Sequence, residues 1–173
     1  YYTDAISDNA VKFINEHYER NPADPFFMYV SYTAAHWPMH APEKDIEKYK
    51  GIYDEGYAAV REQRYERMQS MGLIEKKWGL APAPETVDWA GVNNKTWEAR
   101  NMEVYAAMVD NMDQGIGRII EELKDQDQFE NTLILYLQDN GGCAEQVGRS
   151  GQYVMRSDKP TVPPMKPDEL QMD

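Results

Sequence analysis

One cysteine, Cys143, is all this 173-residue chain contains, so no intrachain disulfide can form and a disulfide-framed mini-domain is excluded. Runs of about 18 consecutive apolar residues are absent, which removes a membrane-spanning helix from the expectations. The first residues lack a charged stretch leading into an apolar one, so no secretory leader is visible, and the chain opens on Tyr1-Tyr2 rather than methionine. Basic residues are scarce beside acidic ones. With 18 Lys and Arg against 30 Asp and Glu the formal charge is -12, which argues against unaided nucleic-acid binding, because phosphate contacts need clustered cations. What is present, 42% hydrophobic and 12% aromatic residues, supports a packed core and one domain.

Ile6, Ala10, Phe13, Ile14 and His17 recur at helical spacing behind Thr3 and Asp4, predicting a capped helix that ends near Arg20. The breaker cluster Asn21 to Pro25 leads to Phe26–Tyr32 (FFMYVSY), which reads as a buried strand. Thr33 to Pro42 is a loop, because Pro38 and Pro42 disfavour helix at and before their own positions. Glu43 to Met71 predicts two helices broken around Gly51 and Gly56, and Gly79 to Thr86 is a Pro/Ala connector. The strongest helical stripe is Met102, Ala106, Val109, Met112, Ile116, Ile119 and Leu123. Thr132 to Leu137 (TLILYL) is a continuous apolar run of the kind found in strands covered on both faces. The element order predicts an α/β fold with a mainly parallel sheet flanked by helices. Two strands are too few for such a sheet to stand alone, so residues 1–173 are expected to be an incomplete domain, with 143–173 an irregular, proline-rich, insertion-like loop.

Loops that follow strands are where α/β folds bind ligands. Here they carry AAHWPMHAP (34–42) and QDNGG (138–142). His36 and His40 are four apart, but Pro38 makes a helical zinc pair a poor reading. His36 has the chemistry to move a proton near neutral pH, or equally to hydrogen-bond backbone as an ordinary loop residue. His17, on the first helix, reads as structural. Asp139 and Asn140 offer two oxygen ligands suited to calcium or magnesium, while Asn140-Gly141 is also a turn signal. Cys143 has no evident base partner in sequence, Arg61 to Arg67 reads as a solvated, salt-bridged helix face, and the sequon Asn94-Lys95-Thr96 carries no weight.

The ordered set PFFMYVSYTAAHWPMHAP, YKGIYDEGY, MEVYAAMVDNMDQGIGRIIEEL and NTLILYLQDNGG resembles the central part of the arylsulfatase family over most of residues 1–142. The resemblance implies a partial alkaline phosphatase-like domain and a formylglycine-dependent sulfuric ester hydrolase that cleaves aryl sulfates or sulfated sugars. It implies a Ca2+ ion, with Mg2+ as the alternative, held by two upstream aspartates and by Asp139 and Asn140. It implies that His36 contacts the sulfate and assists departure of the alcohol, that His40 lines the substrate entrance, and that the protein is periplasmic or secreted. In the implied reaction the hydrated aldehyde attacks sulfur, the alcohol leaves, and the remaining hydroxyl expels sulfate.

The departures are specific. No C/S-x-P-S-R motif for formylglycine occurs, Cys143 sits in C-A-E-Q-V, and neither the upstream aspartate pair nor a downstream sulfate-binding lysine is identifiable, Lys159 and Lys166 included. The chain by itself is therefore expected to be inactive. Two other readings stay open: a phosphodiesterase or phosphatase of the same superfamily, and a non-catalytic acidic module.

Overall fold

The computed structural model describes residues 1–82 and 88–141. Helix α1 spans Tyr2–Arg20, α2 is the short Glu43–Ile46, α3 spans Tyr57–Ser70 and α4 spans Lys95–Asp125. Single 3-10 turns occupy Glu47–Tyr49, Trp89–Gly91 and Phe129–Asn131.

Helix α1 ends where its breaker cluster predicts, with the Asn21 N–H donating to the His17 carbonyl at 2.7 Å. Thr3 and Asp4 do not cap it; they lie within its first turn, and Tyr1 occupies the cap position without a side-chain hydrogen bond. The His17 ring donates from Nε2 to the Asp24 carbonyl at 2.8 Å and meets Tyr18 edge-on and Phe26 at a tilt, a structural role that ties the helix to the turn behind it. Asn94 caps α4, its side chain accepting from the Trp97 N–H at 3.3 Å.

The main packing is α1 against α4. The buried line on α1 is Thr3, Ser7, Ala10 and Ile14, rotated from the stripe that Ile6 and Phe13 suggest. Small residues set this face: Gly115 of α4 meets Ser7, and a Cβ at position 115 would overlap the Ser7 Oγ. The Ser7 hydroxyl also shares a 2.8 Å hydrogen bond with the Tyr32 hydroxyl. Ile6 and Phe13 instead border an open groove of about 270 Å³ shared with Met28, Val30 and Ser31. On α4 the buried positions include Trp97, Asn101, Val104, Ala107, Met108, Met112, Gly115 and Leu123, whereas Val109 is exposed.

The expected parallel sheet is overturned. Among the described residues there is no strand: residues 26–32 and 132–138 have no regular secondary structure and join no backbone ladder. Phe27, Tyr29, Leu133 and Leu137 are more than four-fifths exposed: the 26–32 run, expected to be buried, is half-buried only at the alternate residues Phe26, Met28, Val30 and Tyr32, and the run expected to be covered on both faces is exposed from Leu133 to Leu137. The physical reason is that an apolar, β-favouring run records a demand for burial and pairing, and a strand exists only when another backbone meets its N–H and C=O groups. The expected irregular segment 143–173 lies outside the described residues, as do Cys143, Lys159 and Lys166.

Candidate functional site

The 33–42 loop is held from below. Ile46 is fully buried and clusters with Val104, Ala107 and Met108 of α4, and Ala34, Ala35, Met39 and Ala41 of the loop pack on that cluster. The loop begins in a turn, the His36 N–H donating to the Thr33 carbonyl at 3.2 Å, and contains cis peptide bonds at Ala34-Ala35 and Trp37-Pro38. Ala34, Ala35, Met39 and Ala41 face the core while His36 and Pro38 are left exposed.

The His36 ring places Nδ1 2.6 Å from the Trp37 carbonyl oxygen. A carbonyl only accepts, so Nδ1 carries a proton and Nε2 is the nitrogen left for external chemistry. His40 is half-buried, with its ring edge-on to Tyr1 at 5.6 Å and its carbonyl accepting from the Tyr1 hydroxyl at 2.9 Å. The N-terminus thus anchors the far end of the loop.

Asp139 and Asn140 are exposed. Asn140 donates its amide Nδ2 to the Gly141 carbonyl at 2.8 Å, which leaves its Oδ1 for a cation beside the Asp139 carboxylate. These are two hard oxygen donors of the six to eight that calcium takes. No described group of three or more His, Cys, Asp or Glu side chains is arranged to hold a metal ion, and no hydrogen bond or ring contact joins the Asp139-Asn140 pair to either histidine. The pair fits a hard cation in donor type and accounts for only part of a site.

Beneath the loop runs a polar clamp that sequence reading did not single out. Lys48 bridges Asp45 and Asp110, each at 2.8 Å, and Asn111 donates to Asp45 at 3.2 Å. Arg100 pairs with Glu43 at 2.8 Å and Glu103 at 3.0 Å, while Glu103 accepts the Gly51 N–H at 2.8 Å. The i,i+3 spacing of Asp45 and Lys48 was a readable signal; the links to α4, some 60 residues away, were not. These bonds press residues 43–51 onto α4 and so fix the loop's exit.

Burial pushes the Asp45 carboxyl up, but hydrogen bonds from Lys48 and Asn111 together with the lysine charge outweigh it, and the net position is below the usual carboxylate range. The flanking carboxylates, Asp110 foremost and then Asp45, raise the Lys48 ammonium. The unfolded Asp45, titrating near about 3.9, takes up its proton before the folded one. Its contribution to stability is present above about pH 4 and is lost as pH falls through the lower folded value. Thermal melts from pH 7 to 3 are expected to show a loss of Tm below about pH 4 that is smaller in Asp45→Asn than in the native chain; parallel curves for the two would show that the clamp does not carry the acid sensitivity.

The exposed His36 and the two exposed oxygen donors Asp139 and Asn140 are carried on a largely helical scaffold. The chain belongs to the sulfatase family, whose family model matches residues 1–165. It is 39% identical over 142 residues to an uncharacterised sulfatase of Schizosaccharomyces pombe, covering 76% of this chain and 24% of that protein. It is 38% identical over 119 residues to an arylsulfatase of Klebsiella aerogenes, covering 68% of this chain and 26% of that enzyme. A protein described as an extracellular sulfatase homolog in Caenorhabditis elegans is 23% identical over 163 residues, 86% of this chain and 19% of its own length. The chain spans about a quarter of the length of the first two relatives.

Proposed function

We propose that this chain supplies the leaving-group side of a sulfuric ester hydrolase, with His36 as the proton donor to the departing alcohol and Asp139 and Asn140 as two ligands of a Ca2+ ion, Mg2+ being the alternative. The observation that carries the reading is the His36 imidazole itself: exposed, on a loop pinned to the core, with Nδ1 engaged and Nε2 open. With Nδ1–H bonded to a carbonyl, protonation at Nε2 creates an imidazolium that can deliver its proton outward and return to the same neutral tautomer. His40, held by Tyr1, borders the substrate entrance. A divalent cation at Asp139 and Asn140, when bound, would offset the negative charge of the sulfate group. Substrates are aryl sulfates or sulfated sugars, in keeping with the family and with the arylsulfatase among the relatives.

Formylglycine has no place in this chain, because no C/S-x-P-S-R motif is present. The reaction accordingly belongs to a polypeptide that carries the motif together with these residues, and the chain alone is expected to be inactive. A periplasmic or secreted address accords with the name of the nematode relative. Among the described residues no helix is long and apolar enough to cross a membrane.

The test is to produce the polypeptide containing both this chain and the motif, together with a formylglycine-generating enzyme, and to assay 4-nitrophenyl sulfate against 4-nitrophenyl phosphate. Sulfate turnover that is abolished by chelation, restored by Ca2+ and shifted to higher Ca2+ concentrations in Asp139→Ala is the expected result. Phosphate turnover without sulfate turnover moves the protein to the phosphatase and phosphodiesterase branch of the superfamily. An Asp139→Ala variant with unchanged metal dependence removes the assigned ligand.

A further inference from the structure

Away from the histidine loop, a cleft among the described residues combines edge-on aromatic rings with guanidinium groups. It measures about 260 Å³ and is lined by Tyr53, Gly56, Tyr57, Val60, Arg61, Arg64, Trp89 and Met102, none of them in the 33–42 loop. That is slightly below the roughly 300–1,000 Å³ typical of sites for drug-sized molecules, a size for a single substituted ring.

The cleft is built rather than accidental. Trp89 lies across Gly56, which has φ +83° and where any Cβ would overlap the indole ring, so this close approach requires glycine. The indole N–H donates to the Asp54 carbonyl at 3.1 Å, and Tyr57 meets Trp89 edge-on with ring centroids 5.1 Å apart. The Tyr57 hydroxyl is fixed by donation to Glu98 at 2.7 Å, which orients that carboxylate. Two rings are thereby locked by backbone and carboxylate contacts before any ligand arrives, which lowers the ordering cost of binding. Burial first, and then the Glu103 carboxylate, push the Tyr53 phenol above its ordinary range.

The charges differ in their commitments. Arg61 donates to the carbonyls of Ala81 and Pro82 and helps form the wall. Arg64, exposed one turn further along α3, has no ion pair or hydrogen bond among the described residues. The expectation that Arg61 to Arg67 is a salt-bridged face fails here, since none of those charges forms an ion pair with a described residue. An unpaired guanidinium at the mouth of an aromatic cleft, in a chain of net charge -12, marks a local preference for an anion.

We propose that this cleft binds one aromatic ring bearing a single anionic group, the ring against Trp89 and Tyr57 and the anion at Arg64. Its existence does not depend on the sulfatase reading; only the choice of sulfate as the first anion to try rests on that reading. The test is saturation-transfer NMR and a Tm shift on the full protein, with phenyl sulfate, benzoate and phenol as probes and with Arg64→Gln and Gly56→Ala as variants. Phenyl sulfate should bind with Trp89 ring protons in contact. Its affinity should fall by about fivefold or more in Arg64→Gln, in proportion to the loss of a charge-assisted bond, and phenol should bind the native protein no better than phenyl sulfate binds that variant. Gly56→Ala should weaken all probes. Arg64 is exposed, so Arg64→Gln remains informative even where Gly56→Ala disturbs folding. Undiminished phenyl sulfate binding in Arg64→Gln, or equal affinity for phenol and phenyl sulfate in the native protein, overturns the proposal, as does absence of binding. Benzoate bound as well as phenyl sulfate supports the cleft as a site for ring and anion together, whether or not the protein hydrolyses sulfate esters.

Discussion

Replacing His36 by alanine is expected to lower kcat/KM for an aryl sulfate by about 10²–10⁴-fold, the contribution typical of a positioned general acid. The effect should depend on the alcohol that leaves. A 4-nitrophenolate departs without much help, whereas an alkoxide or the oxygen of an unactivated phenol needs the proton, so the loss should grow as leaving-group basicity rises. A plot of the native-to-variant ratio against leaving-group pKa for a series of substituted phenyl sulfates reads this directly. A flat plot with a large loss would leave His36 as a sulfate-binding group, and turnover within twofold of native would remove it from the reaction. The exposed position of the ring makes the variant safe to interpret, because among the described residues its side chain hydrogen-bonds only to the Trp37 carbonyl.

The second large effect lies under the loop. Ile46→Ala is expected to lower stability by about 2–5 kcal/mol, and Ile46→Val by about 0.5–1.5, because Ile46 has no exposed surface and its neighbours Val104 and Ala107 sit on a rigid helix that cannot collapse into the space. Denaturant melts of the full protein check the magnitude. The same variant should loosen the 33–42 loop, which rests on that cluster through Ala34, Ala35, Met39 and Ala41. Faster amide exchange across 33–42 in Ile46→Ala, with little change in the last turns of α4, would show the link; a loss below about 1 kcal/mol would mean that the core is centred elsewhere.

Helices were the legible part of this fold. Proline and glycine punctuation placed the end of α1 and the break between α2 and α3, because those signals act through the local backbone alone. Which face a helix buries was harder to read. Apolar periodicity selected Phe13 and Val109, both exposed, and passed over Ser7 and Gly115, because a close helix crossing is set by small residues as much as by hydrophobic ones. The β-favouring runs were read correctly as apolar and incorrectly as members of a sheet, since pairing is a property of two backbones and the sequence of one displays only half of it. At the candidate site, the proline-stiffened context marks His36 as a candidate in the sequence, whereas its open Nε2 and the links from Asp45 and Lys48 to α4 depend on contacts that sequence spacing does not encode.

The contact between Ser7 and Gly115 bears on how freely this sequence can drift. Gly115 and Gly117 flank Ile116 and look interchangeable in a G-I-G triplet, yet a methyl at 117 would meet nothing within 4 Å while one at 115 would strike the Ser7 side chain and reach toward the Tyr32 hydroxyl. Alanine at 117 would gain helical propensity without hindrance, by up to about 1 kcal/mol. A randomised library selected for the folded protein would therefore empty position 115 of everything but glycine and fill position 117 with alanine and its larger helix-forming relatives, so that two glycines one residue apart would part company in their substitution histories.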